Sequence, residues 1–277
     1  MGESYTFTPE KLRELQLKGL EMALYFKKIC DENGLLFYFC GGCCIGALRH
    51  QGFIPWDDDL DVGMPRADYE KLLTILRQSP DPRYKLQNEQ TEPNWFLGFS
   101  KIRKQNTLFV EHYLEDLYRD NGIYIDIFPL DNLAGTGGFA ARMHNARIRY
   151  LTHCLKFLAC PKLYRHKDSA GRYGLECLLT LPVRLMGRRR CLKRLNRLCT
   201  GTCPADKAAC LVEYDDSHSY GIPADVYFPA GTLTFEGKSY CVPGRMEDYL
   251  TAVYGPTYMQ LPPPEQRVTH EPVALKF

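Results

Sequence analysis

One short acidic stretch constrains this chain more than any other. Four aspartates lie within five residues, at positions 57, 58, 59 and 61, beside the apolar Trp56, Leu60 and Val62. The carboxylates repel one another, while their apolar neighbours favour burial. A fold accommodates such a cluster when a cation neutralises it, and hard divalent cations prefer carboxylate oxygens. The stretch therefore predicts a metal site; an inert, solvated acidic turn is the alternative.

The positions of the aspartates favour two of them as ligands. Side chains alternate between the two faces of a strand. If the acidic segment is a strand, Asp59 and Asp61 point the same way, and the apolar residues beside them enter the core. Asp57 shares their parity if the strand starts early, whereas Asp58 is expected to cap the turn or face solvent. Two such carboxylates can bind one metal ion, or bridge two ions that also hold a phosphate.

A third acid lies in a similar apolar frame. Residues 122–129 alternate like a strand, with Asp126 between apolar neighbours. A lone aspartate there is costly to bury unless a metal ion or a base pairs with it. An edge-strand aspartate that reaches water is the alternative. Asp131 is the next candidate for the third acid in this segment. The sequence does not reveal a basic partner for each of these acids.

Several motifs resemble the LicD family of phosphocholine transferases and the similar fukutin-type ribitol-phosphate transferases. The resemblance covers about residues 34–133 and 227–270, and the order and spacing of its motifs are distinctive. It is carried by Gly41-Gly42 and by the segments GALRHQGFIPWDDDLDVGMPRADYEKL, FSKIRKQNTLF, GIYIDIFPLDNL and YGPTYMQLPPPEQRVTH.

The resemblance implies an α+β fold with a nucleotidyltransferase-like core, in which helices flank a mixed sheet. Its signature is a Gly-Gly turn, an Asp-x-Asp strand and a third acid on a neighbouring strand. By position, Asp59, Asp61 and Asp126 are the implied catalytic residues and ligands of Mg²⁺ or Mn²⁺. One departure is visible, because the family usually has Thr-Leu after Gly-Gly and this chain has Cys43-Cys44. A thiol thus replaces a hydroxyl that could touch phosphate.

The implied reaction is the transfer of an alcohol phosphate from a CDP-linked donor, and phosphocholine is the leading candidate for the transferred group. The acceptor would be a hydroxyl of a cell-surface glycan, such as lipopolysaccharide or teichoic acid, or of its lipid-linked precursor. Alternatives are a glycosyltransferase that uses Asp-x-Asp to bind a nucleotide sugar, and a catalytically silent binding protein. The expected substrate-binding residues, for several of which an ordinary surface charge is the alternative, are Gly41, Gly42, Arg49, His50, Arg66, Lys101, Arg103, Arg267 and His270.

The middle of the chain differs in charge from the rest. Residues 142–197 have 15 Lys and Arg against two acids, a net charge of +13, and the remainder sums to −11 within a total of +2. The composition predicts a basic, mainly helical insertion that contacts an anionic membrane or a phosphorylated glycan. A solvated basic face is the alternative. No recognition motif supports nucleic acid binding.

These features predict three parts: a catalytic core over 1–134, the basic helical insertion over 135–210, and a segment over 211–277 that completes the core. The chain shows no signal-peptide pattern and no apolar run near 18 residues, so we expect a cytoplasmic protein, at the inner face of the membrane if the basic segment docks there. The 12 cysteines are interpreted as reduced thiols. A structural zinc site among the cysteines of residues 191–210 is the less favoured hypothesis, because this region lacks paired Cys-x₂-Cys knuckles.

Local signals predict the order of elements. Thr8-Pro9 begins a helix that Asn33-Gly34 ends. A strand over 35–40, a short helix to Arg49 and a helix from Pro65 to Gln78 follow. Further strands are predicted at 84–88, 96–103, 107–111 and 123–128, and the basic helical segment is predicted to break near Cys160-Pro161 and Pro182.

Overall fold

The computed structural model describes residues 7–111, 114, 117, 121–132, 138–161, 170–200, 211–212, 221–267, 269–270 and 272–277. Its helices are α1 Pro9–Asn33, α2 Gly41–Ile45, α3 Arg66–Gln78, α4 Phe139–Ala159, α5 Ala170–Leu179, α6 Leu181–Met186, α7 Arg188–Thr200, α8 Ala224–Tyr227 and α9 Met246–Tyr254. A π-helical turn, Gly46–His50, continues α2.

The strands are β1 Tyr38–Phe39, β2 Asp61–Pro65, β3 Tyr84–Gln87, β4 Ser100–Lys104, β5 Leu108–Val110, β6 Tyr124–Asn132, β7 Leu211–Val212, β8 Gly221–Ile222, β9 Gly231–Phe235, β10 Lys238–Val242 and β11 Ala274–Lys276. The main sheet has the order β1-β2-β6-β4-β3, and β7 and β8 extend it from β6. Two further pairs, β9 with β10 and β11 with β5, are antiparallel.

The register of the main sheet brings distant acids together. Strand β2 runs parallel to β6, with Asp61 beside Asp126. Strand β4 runs antiparallel to β6 on its other side, with Lys101 beside Asp126. Helices α1 and α3 pack on this sheet. The expected mixed sheet flanked by helices is therefore confirmed, and the sheet aligns three site candidates across adjacent strands.

Helix α1 shows how local chemistry fixes an element. The Thr8 hydroxyl accepts a hydrogen bond from the Lys11 amide at 3.3 Å, and Pro9 occupies the first turn. Gly34 ends the helix in the left-handed conformation, with φ 60°. Both ends agree with the sequence prediction.

Several predicted strands differ from the structure. Strand β2 begins at Asp61, so Asp59 precedes the strand, and β6 continues to Asn132. The strand expected over 96–103 begins only at Ser100, because Trp95 and Phe96 are buried in a second core and the Trp95 indole donates to the Phe99 carbonyl at 3.0 Å. The strand expected over 35–40 is reduced to Tyr38–Phe39. The preceding residues instead connect to the end of α1, where the Leu35 amide donates to the Cys30 carbonyl.

The basic segment folds around a second core of its own. Helices α4, α6 and α7 bury apolar and cysteine side chains against Trp95 and Phe96. The helices are interrupted at Cys160 and before Pro182, as predicted. Cys154, Cys160, Cys191 and Cys199 are buried there as free thiols, whereas Cys203 and Cys210 lie outside the described residues.

The two predicted part boundaries, near 134 and 210, also lie outside the described residues and stay predictions. The C-terminal part nevertheless returns to the first part, because β11 pairs with β5 and the β9-β10 hairpin packs in the main core. Within the described residues, no helix combines the length and the apolar character that crossing a bilayer requires.

Candidate active site

The glycine turn Gly41-Gly42 lies directly beside two of the acids. Gly41 has φ 50°, a left-handed conformation that favours glycine. A Cβ on Gly42 would lie 2.6 Å from Asp57 Oδ2, and one on Gly41 would lie 3.7 Å from Asp61 Oδ2. The Gly41 amide donates to the Tyr249 hydroxyl at 2.9 Å. The backbone at the start of α2 therefore borders the carboxylates directly.

Cys43 faces the protein interior behind this turn. Its buried Sγ accepts a hydrogen bond from the Asp61 amide at 3.3 Å. Burial, and then the charges of Asp61 and Asp57, raise the pKa of the Cys43 thiol well above its usual range. The thiol that replaces the family's hydroxyl is thus a neutral group that fixes the start of β2.

Asp58 corrects a sequence prediction. It was expected to cap the turn or face solvent, but it is buried and holds the C-terminal segment. Asp58 Oδ2 accepts a hydrogen bond from the His270 amide at 3.0 Å, and Oδ1 lies 3.0 Å from His270 Nδ1. His270 Nε2 in turn lies 3.6 Å from Asp59 Oδ2. His270 therefore bridges two of the four clustered acids.

Lys101 is a buried basic partner for the third acid. Its Nζ donates to Asp126 Oδ2 at 3.1 Å and lies 3.0 Å from Oδ1, which has no hydrogen bond of good geometry. The same ammonium lies 3.5 Å from Glu111 and 3.5 Å from the centre of the Tyr124 ring. Asp126 and Asp59 therefore have basic partners that the sequence does not reveal, Lys101 for Asp126 and His270 for Asp59.

Arg103 shares the face of Lys101, as predicted, but it does not reach the acids. Its side chain is fully buried, and its Nε donates to Gln87 at 2.6 Å. Its two terminal nitrogens donate to the Gly122 carbonyl at 2.7 Å and to Glu111 at 3.2 Å. Because its donors are directed into the protein, we correct its expected role from phosphate contact to support of β4 and Glu111.

Arg66 lies away from the acidic cluster. It follows β2, five residues beyond Asp61, which corresponds to about 16 Å of strand. Its guanidinium forms a two-pronged ion pair with the buried Asp131, and it also reaches Glu70 at 3.1 Å. The structure therefore separates Arg66 from the substrate-binding set, and it explains Asp131 as an ion-pair partner at the far end of β6.

Arg49 and Arg267 come together on the tryptophan that precedes the acids. Their guanidinium carbons lie 6.0 Å and 4.7 Å from the centre of the Trp56 ring. Arg49 Nε donates to His50 Nε2 at 3.0 Å. Burial, and then the Arg49 charge, lower the pKa of His50, which therefore stays neutral at pH 7. Two cationic side chains thus lie near Trp56, the residue that precedes the acids in the sequence.

The electrostatics of the acids indicate a site that requires positive charge. Burial, and then the charge of Asp59, raise the pKa of both Asp57 and Asp61 well above the usual range. Burial raises the pKa of Asp126 to about 6, although Lys101 opposes the shift. Burial alone would lower the pKa of His270, but Asp59 and Asp58 outweigh it and raise that pKa well above its ordinary value.

The donor chemistry fits a divalent cation. Crowded carboxylates that retain protons would release them to a cation with affinity for oxygen. Among the described residues, one group of three offers ligand atoms within 4.8 Å of one another: Asp58, Asp59 and His270. Asp59, Asp61 and Asp126 form no group this tight. The charges of Asp59 and Asp126 nevertheless raise the pKa of Asp61, and the charge of Asp59 raises that of Asp126.

Sequence reasoning missed Asp58, Glu111 and Tyr249 as members of this site. Glu111 had no motif to mark it, and its role depends on Lys101 and Arg103 of the neighbouring strand. Tyr249 lies in α9, between the quoted motif segments, and its contact with Gly41 spans 208 positions. Only the acidic and glycine motifs left a local signal.

Comparison with known proteins agrees with this geometry. Residues 34–153 match the family model described as "LicD/FKTN/FKRP, nucleotidyltransferase domain". The resemblance to the LicD family that the motifs carry is thus confirmed over these residues.

Individual relatives extend the match. Over 263 residues, the chain is 26% identical to the lipopolysaccharide cholinephosphotransferase LicD of Haemophilus influenzae, and the alignment covers 94% of this chain and 95% of that protein. An uncharacterized protein of Rickettsia prowazekii is 30% identical over 137 residues, which are 45% of this chain and 52% of the relative. An uncharacterized protein of Rickettsia typhi is 30% identical over 107 residues, which are 37% of this chain and 34% of the relative.

The raised pKa values predict how stability depends on pH and magnesium. Because the folded acids bind protons that the unfolded chain releases above pH 3.8, the free energy of unfolding in EDTA should fall as pH rises, for Asp126 up to about pH 6. Mg²⁺ should offset the loss at pH 8. Asp61→Asn removes one repelling charge, so it should melt above the parent protein in EDTA at pH 8 and respond less to Mg²⁺.

Melting curves across pH, with EDTA or Mg²⁺, check this expectation. Asp225→Asn is the control, because Asp225 is exposed and pairs with Arg245 at 2.8 Å away from the cluster. It should follow the parent protein under every condition. A melting temperature that Mg²⁺ leaves unchanged at pH 8 would contradict the metal site.

The ion pair at the far end of β6 predicts a stability effect without a metal effect. Arg66→Met leaves Asp131 buried without its partner and should lower the free energy of unfolding by about 3 kcal/mol, measured in urea. The magnesium response of the melting temperature should persist. Arg245→Met removes exposed pairs and should cost under ~1 kcal/mol. If Arg66→Met keeps full stability but loses the magnesium response, Arg66 belongs to the acid cluster after all.

Proposed function

We propose that this protein is a metal-dependent phosphotransferase that moves an alcohol phosphate from a CDP-linked donor to a glycan hydroxyl. Phosphocholine is the leading candidate for the transferred group. The observation that carries the proposal is the alignment of Asp61 with Asp126 on adjacent parallel strands, beside the Gly41-Gly42 backbone. The similarity to a lipopolysaccharide cholinephosphotransferase supports the same reaction class.

Asp59 and Asp61 are the first candidates to hold Mg²⁺ or Mn²⁺, with Asp126 as a third ligand. Their crowding and their raised pKa values support this assignment. When bound, such an ion neutralises charge on the oxygens of the diphosphate. Asp57 and Asp58 would then act behind the ligands, since Asp58 orients His270 and Asp57 lies against Gly42.

The donor would lie between the glycine turn and the two arginines. Glycines at 41 and 42 leave room for a phosphate to approach the backbone, because no Cβ blocks it. Arg49 and Arg267 can provide positive charge at the edge formed by Trp56.

The reaction forms one bond and breaks one. The acceptor hydroxyl oxygen attacks the phosphorus nearer the alcohol, the bond from that phosphorus to the bridging oxygen breaks, and CMP leaves. The hydroxyl proton passes to a base, for which Asp126 is the candidate, because its pKa of about 6 leaves it ionised at pH 7. Lys101, 3.0 Å from Asp126, would hold that carboxylate in place.

Two alternatives belong to other classes. A glycosyltransferase would use Asp59 and Asp61 to bind a nucleotide sugar, but it would not need the glycine turn or Asp126 beside them. A silent binding protein on the same fold would not need its acids intact, and this chain retains all of them. Both alternatives are therefore less well supported than phosphotransfer.

The acceptor is proposed to be a cell-surface glycan or its lipid-linked precursor, such as an intermediate of lipopolysaccharide or teichoic acid synthesis. CDP-linked donors and lipid-linked precursors are compatible with a cytoplasmic protein that works at the inner face of the membrane. Nucleic acid has no role in this proposal.

A donor screen tests the proposal. Purified protein with Mg²⁺ is offered CDP-choline, CDP-ribitol, CDP-glycerol and nucleotide sugars, and mass spectrometry follows release of CMP and growth of the acceptor glycan. We expect CMP from a CDP-alcohol, and at least ~10²-fold slower release with Asp59→Asn, because charge stabilisation at such sites contributes several kcal/mol. EDTA should abolish turnover.

Other outcomes would redirect the assignment. Sugar transfer with release of a nucleoside diphosphate would identify a glycosyltransferase. Donor binding by calorimetry without any product would favour the silent binding protein. Full turnover in EDTA would remove the metal from the mechanism.

Asp126→Asn tests whether Asp126 is base, ligand or both. We expect turnover to fall at least ~10²-fold, with weaker binding of the donor in the presence of Mg²⁺, because we favour a shared role. Calorimetry and initial rates separate the two effects, since unchanged donor binding would leave only the base role. Asp131→Asn is the matched control and should keep its turnover per folded molecule. The reverse pattern would make Asp131 the third acid.

A further inference from the structure

Five leucines on α5 and α6 form an exposed apolar ridge. They are between 44% and 78% exposed, and they are Leu175, Leu178, Leu179, Leu181 and Leu185. Scattered exposed leucines are ordinary on protein surfaces, but five within eleven positions are not. The ridge lies within the basic segment, and nothing in the proposed transfer reaction uses it.

Helical spacing gathers these side chains. Leu175, Leu178 and Leu179 are three and four positions apart on α5 and share one face. Leu181 and Leu185 are four apart on α6 and share another. The turn between the helices is fixed by buried Thr180, whose hydroxyl donates to the Glu176 carbonyl at 2.8 Å.

The other side of the two helices is anchored to the protein. Val183 is buried in the second core, and its carbonyl accepts from the Cys191 thiol at 3.6 Å. On α4, the Tyr150 hydroxyl donates to the Leu179 carbonyl at 2.7 Å, and His153 lies 2.8 Å from Glu176. The ridge is therefore the outer face of two helices that are anchored to the protein, and loose packing does not explain its exposure.

Positive charge accompanies the ridge. Arg184 lies between Leu181 and Leu185 on the same helix face and is exposed. Arg189, Arg190, Lys193 and Arg194 follow on α7 and are exposed as well. Arg188, by contrast, donates to the Asn94 carbonyl at 2.8 Å and is committed to the protein.

We propose that the ridge inserts into the surface of an anionic membrane while the neighbouring basic side chains contact lipid phosphates. Apolar residues beside exposed cations on short helices are the features of interfacial membrane anchors. The net charge of +13 over residues 142–197 favours an anionic surface and opposes contact with the same segment of a second copy. The inference does not depend on which donor the enzyme uses.

Vesicle flotation tests the ridge. The full chain is mixed with vesicles of phosphatidylcholine, with or without phosphatidylglycerol, at increasing salt. We expect binding only with phosphatidylglycerol, and weaker binding as salt rises. Leu178→Ser with Leu179→Ser should weaken it at least ~10-fold, because each leucine loses apolar contact with the acyl region. Arg184→Gln with Arg189→Gln and Arg190→Gln should flatten the salt dependence.

Leu17→Ser with Leu24→Ser is the matched control, since both leucines are similarly exposed on α1. It should bind vesicles like the parent protein, and circular dichroism should show that all variants fold. Wild-type vesicle binding by the ridge variant, or no binding by the parent protein, would overturn the proposal. Self-association without lipid that the ridge substitutions abolish would also overturn it, in favour of an interface between copies.

Discussion

Repulsion between buried and half-buried carboxylates is the constraint on which this structure depends. Asp61 and Asp126 are neighbours in a parallel strand pair, and the charges of Asp57 and Asp59 also act on Asp61. Separately, each acid would be costly to bury. Together they are tolerated because the sheet register, the glycine turn and two basic side chains hold their charges in place.

The compensation comes from parts of the chain that are remote in sequence. Lys101 reaches Asp126 from β4, on the opposite side of β6 from β2. His270 reaches Asp58 from the C-terminal segment. Arg103 and Glu111 then support Lys101 from behind. The site is therefore a junction of four segments, in which the central acids are fixed by β2 and β6 and their partners by the rest of the fold.

The sequence predicted those parts of the site that have a local cause. Alternation identified Asp61 and Asp126, and cap residues identified both ends of α1, because these signals depend on neighbours along the chain. Asp58 was misassigned because its partner lies 212 positions away. Arg103 was misassigned because nothing in the sequence indicates that Gln87 and the Gly122 carbonyl accept its hydrogen bonds. The strand over 96–103 was overextended because the second core, invisible in a local window, captures Trp95 and Phe96.

The contact between Asp58 and His270 has a consequence for how the protein matures. The two residues are 212 positions apart, so the contact must repay the entropy lost when the chain between them is closed into a loop. A chain that has formed its sheet but not this contact would expose Asp58 and leave Asp59 without its basic neighbour. In a chain that is still folding, the charge balance of the acidic cluster therefore depends on the placement of the C-terminal segment.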